Sequence, residues 1–552
     1  MFVLVKEANP LSERNSRFDC KVAIQDGLNV YYSTDKLINV YCNDSYFMLH
    51  RGLPVFDDER FKNIIKLYEK QSKKDKFKLI TGSYFLILFD KEENALRIYR
   101  DAWGSVPVFY EKERMIISDS ISEIVACIPE SKLNNKVLCE YLACSYIVGA
   151  PTLYSNILAL EPRNMLEFKN QDLSTRQNHN YPKFDKDLRI NDLVVELEEA
   201  IDKSINNIFT AIADPEEFFI ALSGGTDSSL LTAKLYEKYD HKKFICGTVH
   251  YENWHLNDTE YFRRVIDQYK LDGYIESINN ENYANALVDL INSSKYIYHT
   301  FSPSFFSLAN SINSKYPKIK YQINGTGPDE GIIGFEKIPM AEMLANNNLK
   351  KEQWIKFLFE KLDYIYTPPE IIYSIVNEGG DILSSRMKIA NNLLNTCDHF
   401  SEFQRRYTFE TVTDHHIRML YHIAQLNNIE TIYPYCTQEI FAISFKAPYS
   451  ELNLNEIYKA VYKRILLKYF GEEFVYRPKI GFHAPSRVYF KEGKGLGAKL
   501  SGINLADMQK LFNLEEVKKQ INHRLNDKDA ILDYLLWTFL NFSLWFIRLS
   551  SG

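Results

Sequence analysis

Two rhythms of apolar and polar residues divide the chain. From Gly82 to Asp119 the sequence GSYFLILFDKEENALRIYRDAWGSVPVFYEKERMIISD is a series of short aromatic and β-branched runs. Asp90 to Asn94 supply turn residues between two of them, so the segment predicts antiparallel sheet. NNKVLCEYLACSYIV, residues 134–148, then predicts a helix. The polar stretch 169–187, KNQDLSTRQNHNYPKFDKD, has a proline and no periodicity and is the best linker candidate. Beyond it the period changes. Leu193, Leu197 and Ile201 recur every fourth position and predict a helix over 191–210. A strand is expected at 217–222, a helix at 227–239, a strand at 242–250, a helix at 258–269 and a strand at 318–323. Strands alternating with helices imply a mostly parallel sheet covered on both faces. Residues from about 340 onward are largely helical in pattern.

Composition agrees with two or more domains. The chain has 552 residues, 45% hydrophobic and 25% charged. A net charge of −6 argues against a basic nucleic-acid-binding surface. Eight cysteines are scattered, with no Cys-x-x-Cys pair, so neither a zinc knuckle nor a disulfide scaffold is expected, and a reducing cytoplasm fits. The amino-terminal residues lack the apolar core of a signal peptide. Residues 531–549, ILDYLLWTFLNFSLWFIRL, imitate a membrane span, but Asp533, Asn541 and Arg548 favour a buried helix, and no membrane partner is expected.

Chemistry concentrates at FFIALSGGTDSSL, residues 218–230. An apolar run ends in Ser223, Gly224, Gly225 and Thr226, and a helix follows. Such a turn brings backbone N–H groups close to an anion, with the helix N-terminus aimed at the same place. Ser228 adds a hydroxyl. Asp227 makes sense there as a ligand of a magnesium ion shared with phosphate oxygens. No lysine follows the glycines, so the turn is not the phosphate loop of a kinase-like enzyme.

The segment Ser223–Ser228 resembles the pyrophosphate loop of the asparagine synthetase family. Two further segments resemble that family in the same order: Asn324-Gly325-Thr326-Gly327-Pro328-Asp329-Glu330, and Arg477-Pro478-Lys479-Ile480-Gly481-Phe482-His483. LNDTEYF, residues 256–262, also resembles a family segment. The resemblance implies an α/β protein. Residues 1–185 would be a degenerate amidotransferase-like domain of antiparallel sheet and helix. Residues 186–552 would be a parallel-sheet ATP-pyrophosphatase-type synthetase domain with a helical C-terminal part. It implies ATP and Mg2+ as cofactors, Asp227 and Asp329 as metal ligands, and Lys479 as the catalytic cation. Leu222 and Val249 would line the adenine, Gly325 and Gly327 would shape the second loop, and Arg477 would be a phosphate contact.

Two departures narrow the expectation. Glutamine-using relatives carry a cysteine nucleophile where this chain has Phe2, so glutaminase activity is not expected. Asparagine-forming relatives have glutamate between the two glycines, where this chain has Thr326. Beta-lactam synthetases and lasso peptide cyclases also depart from the glutamine-using pattern. The expected substrate is therefore a peptide or small amino-acid derivative cyclised through its own amine. A lasso cyclase would also need a leader-peptide-binding protein and a protease. An intermolecular ligase using ammonia, or a noncatalytic assembly protein, are the alternatives. Within SEFQRRYTFETVTDHHIRMLYHI, Glu402, Arg406, Glu410 and Asp414 recur every fourth residue, and Glu410 is the candidate for orienting or deprotonating the amine.

Overall fold

The computed structural model describes residues 2–6, 20–24, 28–33, 38–53, 55–56, 59–60, 82–128, 131–257, 259–332, 349–362, 364–453, 457–478, 484–526 and 533–551. The aromatic and β-branched runs of the first section form two antiparallel six-stranded sheets. In one, Phe2–Lys6 lies between Ile116–Ser118 and Leu28–Tyr32. In the other, Tyr84–Asp90 lies between Tyr46–Gly52 and Ala95–Arg100. Every residue of Tyr84–Asp90 is buried, because the strand is central in its sheet and covered on both faces. The sheets share an apolar core in which Phe2 stacks on Phe85 with ring centres 4.5 Å apart.

The stretch read as a linker is partly sheet. Asp172–Gln177 pairs antiparallel with Asn164–Lys169 and closes the edge of the second sheet. Of its six residues only Leu173 is buried, so it shows none of the alternation that marks a half-buried strand.

The second section is built on a five-stranded parallel sheet. Its order is Asp272–Ile278, Ile245–Tyr251, Phe218–Ala221, Tyr321–Ile323, Glu430–Ile432. The chain starts at the central strand, winds outward to one side, then returns to the other. The order therefore reverses between Phe218–Ala221 and Tyr321–Ile323. In open α/β sheets that reversal opens a crevice beyond the carboxyl ends of the strands. The helices Ile190–Ala211 and Thr226–Lys238 fall where the spacing predicts them.

The C-terminal helix packs on the helices Leu138–Cys144 and Asn280–Ser294. Tyr534–Ser551 is a helix with Leu536, Trp537, Leu540, Phe542 and Trp545 all buried. Trp537 Nε1 and Asn541 Nδ2 both donate to the carbonyl of Tyr298. Among the described residues no helix is long and apolar enough to cross a membrane.

The two sections are bolted together by buried contacts. Trp103 Nε1 donates to the Thr437 carbonyl at 2.9 Å, and its ring sits edge-on to Phe409 and Phe441. Arg100, fully buried, pairs with Asp414 at 3.1 Å.

Candidate functional site

The turn after Phe218–Ala221 and the turn after Tyr321–Ile323 lie side by side at the reversal of the sheet. Gly224 has φ +78°, a conformation that side chains rarely adopt, and a Cβ there would fall 2.7 Å from the Phe262 nitrogen. Ser228 Oγ accepts from the Ser223 N–H at 3.2 Å, and Ser223 Oγ from the Gly225 N–H at 3.2 Å. The turn thus closes on its own hydroxyls. Gly225 is the N-cap of the helix Thr226–Lys238, whose positive end faces the crevice.

The second turn is held from its other side. The Asn324 N–H donates to the Ile432 carbonyl at 3.0 Å. Asn324 Oδ1 accepts from both the N–H and the hydroxyl of Thr326, at 3.0 and 2.7 Å. Gly327, at φ +133°, passes so near Tyr435 that a Cβ would lie 2.7 Å from the tyrosine Cβ. The Gly327 N–H donates to Glu330 Oε2 at 2.8 Å. A Cβ on Gly325 would be 3.3 Å from the Ser228 nitrogen, so the two turns touch.

Asp227 and Asp329 converge across this contact on a single cation, the ammonium of Lys459, at 2.5 and 2.6 Å. Lys459 is only 5% exposed. Burial alone would lower its pKa, but the two carboxylates outweigh that and hold it above the ordinary lysine value. Its backbone is fixed by an N–H bond to Asn453 Oδ1 at 2.8 Å.

Around these groups lies a cleft of about 270 Å³. Leu222, Val249, Leu308 and Phe305 give one side an apolar lining, while Ser223, Asp227, Thr326 and Asp329 line the polar side. His416 and Glu330 also border it, with His416 Nδ1 3.6 Å from Glu330 Oε1. An apolar lining beside a glycine turn that opens a helix is the kind of surface a nucleotide takes.

A sequence model for the family described as "Asparagine synthase" matches residues 197–547, well over half of the chain. The chain belongs to the asparagine synthase family. A second model, "Glutamine amidotransferase domain", matches residues 61–181. A curated protein similar to this asparagine synthase family member is "Putative asparagine synthetase [glutamine-hydrolyzing] 1" of Methanocaldococcus jannaschii, 27% identical over 221 residues. That match covers 40% of this chain and 37% of the relative, little more than a third of the relative's length. A solved structure, "NH3-dependent NAD synthetase from Campylobacter jejuni subsp. jejuni NCTC 11168 in complex with the nitrate ion", is 15% identical. It covers 31% of this chain and 84% of its own, and at a TM-score of 0.20 the likeness bears no weight.

Among the residues expected at the site of an asparagine synthase family member, Leu222, Ser223, Gly225, Asp227, Ser228, Val249, Gly325, Thr326 and Asp329 line the cleft. Gly224, Thr226 and Gly327 shape its turns. Arg477 donates from Nη2 to the Gly224 carbonyl at 2.8 Å, and its guanidinium lies 3.7 Å over the Tyr261 ring. It braces the glycine turn. Lys479 and His483 lie outside the described residues.

Glu410 is placed elsewhere. It pairs with Arg163 and accepts from the Tyr181 hydroxyl at 2.8 Å. Glu402 pairs with Arg406, and Asp414 with Arg100 and Arg418. Arg406, Glu410 and Asp414 meet Tyr181, Arg163 and Arg100 of the first section, and none of them borders the cleft. A π turn at Phe409–Thr413 interrupts this helix just where Glu410 stands.

Lys459 is a site residue that the sequence does not mark; Glu330 stands in the second loop and His416 in the helical stretch SEFQRRYTFETVTDHHIRMLYHI, neither with a role assigned to it there. Magnesium usually takes one or two carboxylates together with substrate phosphates, and the pair Asp227 and Asp329 fits that donor set. Both carboxylates already close on one cation, which shows that their geometry suits a single positive centre. When bound, the ion would supply neutralisation of the triphosphate charge.

Proposed function

We propose that the chain is an ATP-dependent amide ligase that adenylates a carboxylate, releases pyrophosphate, and joins the acyl group to an amine of the same molecule. The observation that carries this reading is the convergence of Asp227 and Asp329 from adjacent strand ends on one cation, beside an apolar lining. In the first step a carboxylate oxygen forms a bond to the α-phosphorus, and the bond from that phosphorus to pyrophosphate breaks. In the second, the amine nitrogen bonds to the acyl carbon, the bond to AMP breaks, and the amine loses a proton.

The chain's own groups have definable tasks. The glycine turn and the start of Thr226–Lys238 hold phosphate oxygens. Leu222 and Val249 hold the base. Lys459 supplies positive charge beside the triphosphate, and Lys479 is proposed to follow the α-phosphate. His416, bordered by Glu330, is the group on the cleft suited to take the amine proton. Thr326 is tied to Asn324 and serves the shape of the turn.

Attack by an internal amine is supported by two features. Thr326 offers no carboxylate to an incoming ammonia molecule. The strand Phe2–Lys6 reads FVLVK and carries no thiol, with the Phe2 ring stacked into the core of the first section. A second reading, an intermolecular ligase, is favoured by the similarity to a protein named as an asparagine synthetase.

Incubation with ATP and candidate substrates, followed by mass spectrometry, separates these readings. The cyclase yields AMP and a product lighter by one water. A product that gains the mass of an added amine supports the second reading. ADP as the nucleotide product overturns both. A short precursor peptide encoded beside the gene would direct the choice of substrates.

A further inference from the structure

Lys459 does more than accompany the metal ligands, because it occupies the point on which they converge. Its ammonium contacts Asp227 Oδ2 and Asp329 Oδ1 at once, and no arrangement leaves that place open while both contacts persist. Asp227 is further oriented by its own backbone carbonyl, which accepts from the Tyr435 hydroxyl at 2.9 Å. Lys459 is equally constrained: it has φ +55°, and its N–H is held by Asn453. A left-handed lysine at a helix start costs backbone energy that surrounding structure must offset, so this placement is specified. A buried ammonium must also keep a partner, since an unpaired buried charge is expensive.

Charge decides what can displace it. Two carboxylates and one ammonium leave this group with a net charge of about −1. A divalent cation arriving alone would meet the ammonium at contact range and would have to expel it from a buried position. A metal–nucleotide complex brings its own phosphate charges. These offer the ammonium a new partner as it leaves the aspartates, so the exchange of cations proceeds without stranding a charge.

We propose that Lys459 is the resident counter-cation of Asp227 and Asp329 when no metal is bound, one that blocks binding of a free divalent ion and couples metal entry to nucleotide entry. The proposal rests on the reading that Asp227 and Asp329 are the metal ligands. It predicts that adenylation cannot begin from a metal-loaded, nucleotide-free enzyme, and that cation and nucleotide bind with strong positive cooperativity.

The test is Mn2+ binding to the full chain, followed by electron paramagnetic resonance with and without a non-hydrolysable ATP analogue. In the unsubstituted protein the analogue should strengthen Mn2+ binding at least about 100-fold, beyond chelation by the analogue itself. In Lys459→Met, Mn2+ alone should bind at least about tenfold more tightly than in the unsubstituted protein, because two carboxylates then face the ion without a competitor. The coupling should collapse at the same time. Lys459→Gln, which keeps a polar tip, should behave alike. If either variant is unfolded by circular dichroism, the coupling in the unsubstituted protein still decides: tight Mn2+ binding without nucleotide would overturn the proposal. Equal Mn2+ affinity in Lys459→Met and the unsubstituted protein would overturn it too. Asp227→Asn separates the two levels of the argument. If it removes Mn2+ binding while Lys459→Met changes nothing, the metal reading stands and the counter-cation fails. If Mn2+·analogue binding survives Asp227→Asn and Asp329→Asn undiminished, the metal reading fails and the proposal with it.

Discussion

Arg51 Nε donates to Glu430 Oε1 at 3.0 Å, joining a strand of the first section to the edge strand of the parallel sheet. The same guanidinium reaches Asp119, which also accepts from the Phe2 N–H at 3.0 Å and the Tyr421 hydroxyl at 2.9 Å. All three charged side chains are nearly inaccessible. Removing the guanidinium would take its positive charge away from two buried carboxylates. Arg51→Met is therefore expected to destabilise the protein by about 3–5 kcal/mol, the usual cost of breaking a buried pair. Urea denaturation monitored by fluorescence checks this. A change below the error of the measurement would show that the network contributes no rigidity.

Acid should unfold the protein earlier than its carboxylates alone require. Burial lowers the pKa of His50 to about 3 and that of His422 to about 4. In the unfolded chain both would titrate near the ordinary value of about 6.5. The unfolded state then binds protons first as pH falls. The stability these groups contribute is complete above pH 6.5 and is lost towards pH 4, at about 1.4 kcal/mol per pH unit for each histidine. Asp119 acts in the same direction lower down. Burial opposes its ionisation, but the positive charge of the amino terminus, then Arg51 and the hydrogen-bond donors, outweigh that and hold it below the ordinary carboxylate range. His422→Phe should reduce the slope of stability against pH between 6 and 4. An unaltered slope would contradict the assignment.

The glycine turns tolerate no side chain. Gly224→Ala would drive a Cβ into the backbone at Phe262, and Gly327→Ala would drive one into Tyr435. Each is expected to weaken binding of a non-hydrolysable ATP analogue by at least about tenfold, through displacement of the donors that face the phosphates. Calorimetric titration provides the measurement. Binding equal to that of the unsubstituted protein would remove the turns from the nucleotide site.

Glutamine should be inert. Incubated with glutamine and ATP, the protein is expected to release no glutamate above the rate of spontaneous hydrolysis, since the strand Phe2–Lys6 has no thiol and buries its first side chain. Glutamate formed in step with an amide product would contradict this.

Proton transfer from the amine should depend on His416. His416→Gln is expected to slow amide formation by about 10²-fold, the lower end for loss of a general base. Pyrophosphate would then be released more often per amide made. A parallel loss of both products would instead place His416 in the shape of the cleft.

The site was unevenly legible in the sequence. Ser223 to Ser228 stands out because close approach to an anion demands small residues, and Asn324 to Glu330 because it resembles a family loop. Lys459 carries no such mark: in EIYKAVYKRILLKYF it is one of several lysines on a helical pattern, and only the fold returns it to Asp227. His416 was visible as half of a His–His pair, but its neighbour Glu330 is 86 positions away, so their proximity has no local signature. Glu410 shows the converse. Its spacing suggested one helix face, yet spacing does not tell a face that borders a cleft from one that meets Arg163 and Tyr181. The parallel sheet was legible at its centre. Its edge strands Asp272–Ile278 and Glu430–Ile432 were not, the second being three residues long and enclosed by helical pattern.

The most direct test of the account is phosphorus NMR of ATP consumed by the unsubstituted protein with magnesium and a carboxylate substrate labelled with oxygen-18. AMP and pyrophosphate are expected, with one labelled oxygen carried into AMP. Formation of ADP and phosphate, or AMP free of label, would rule out adenylation.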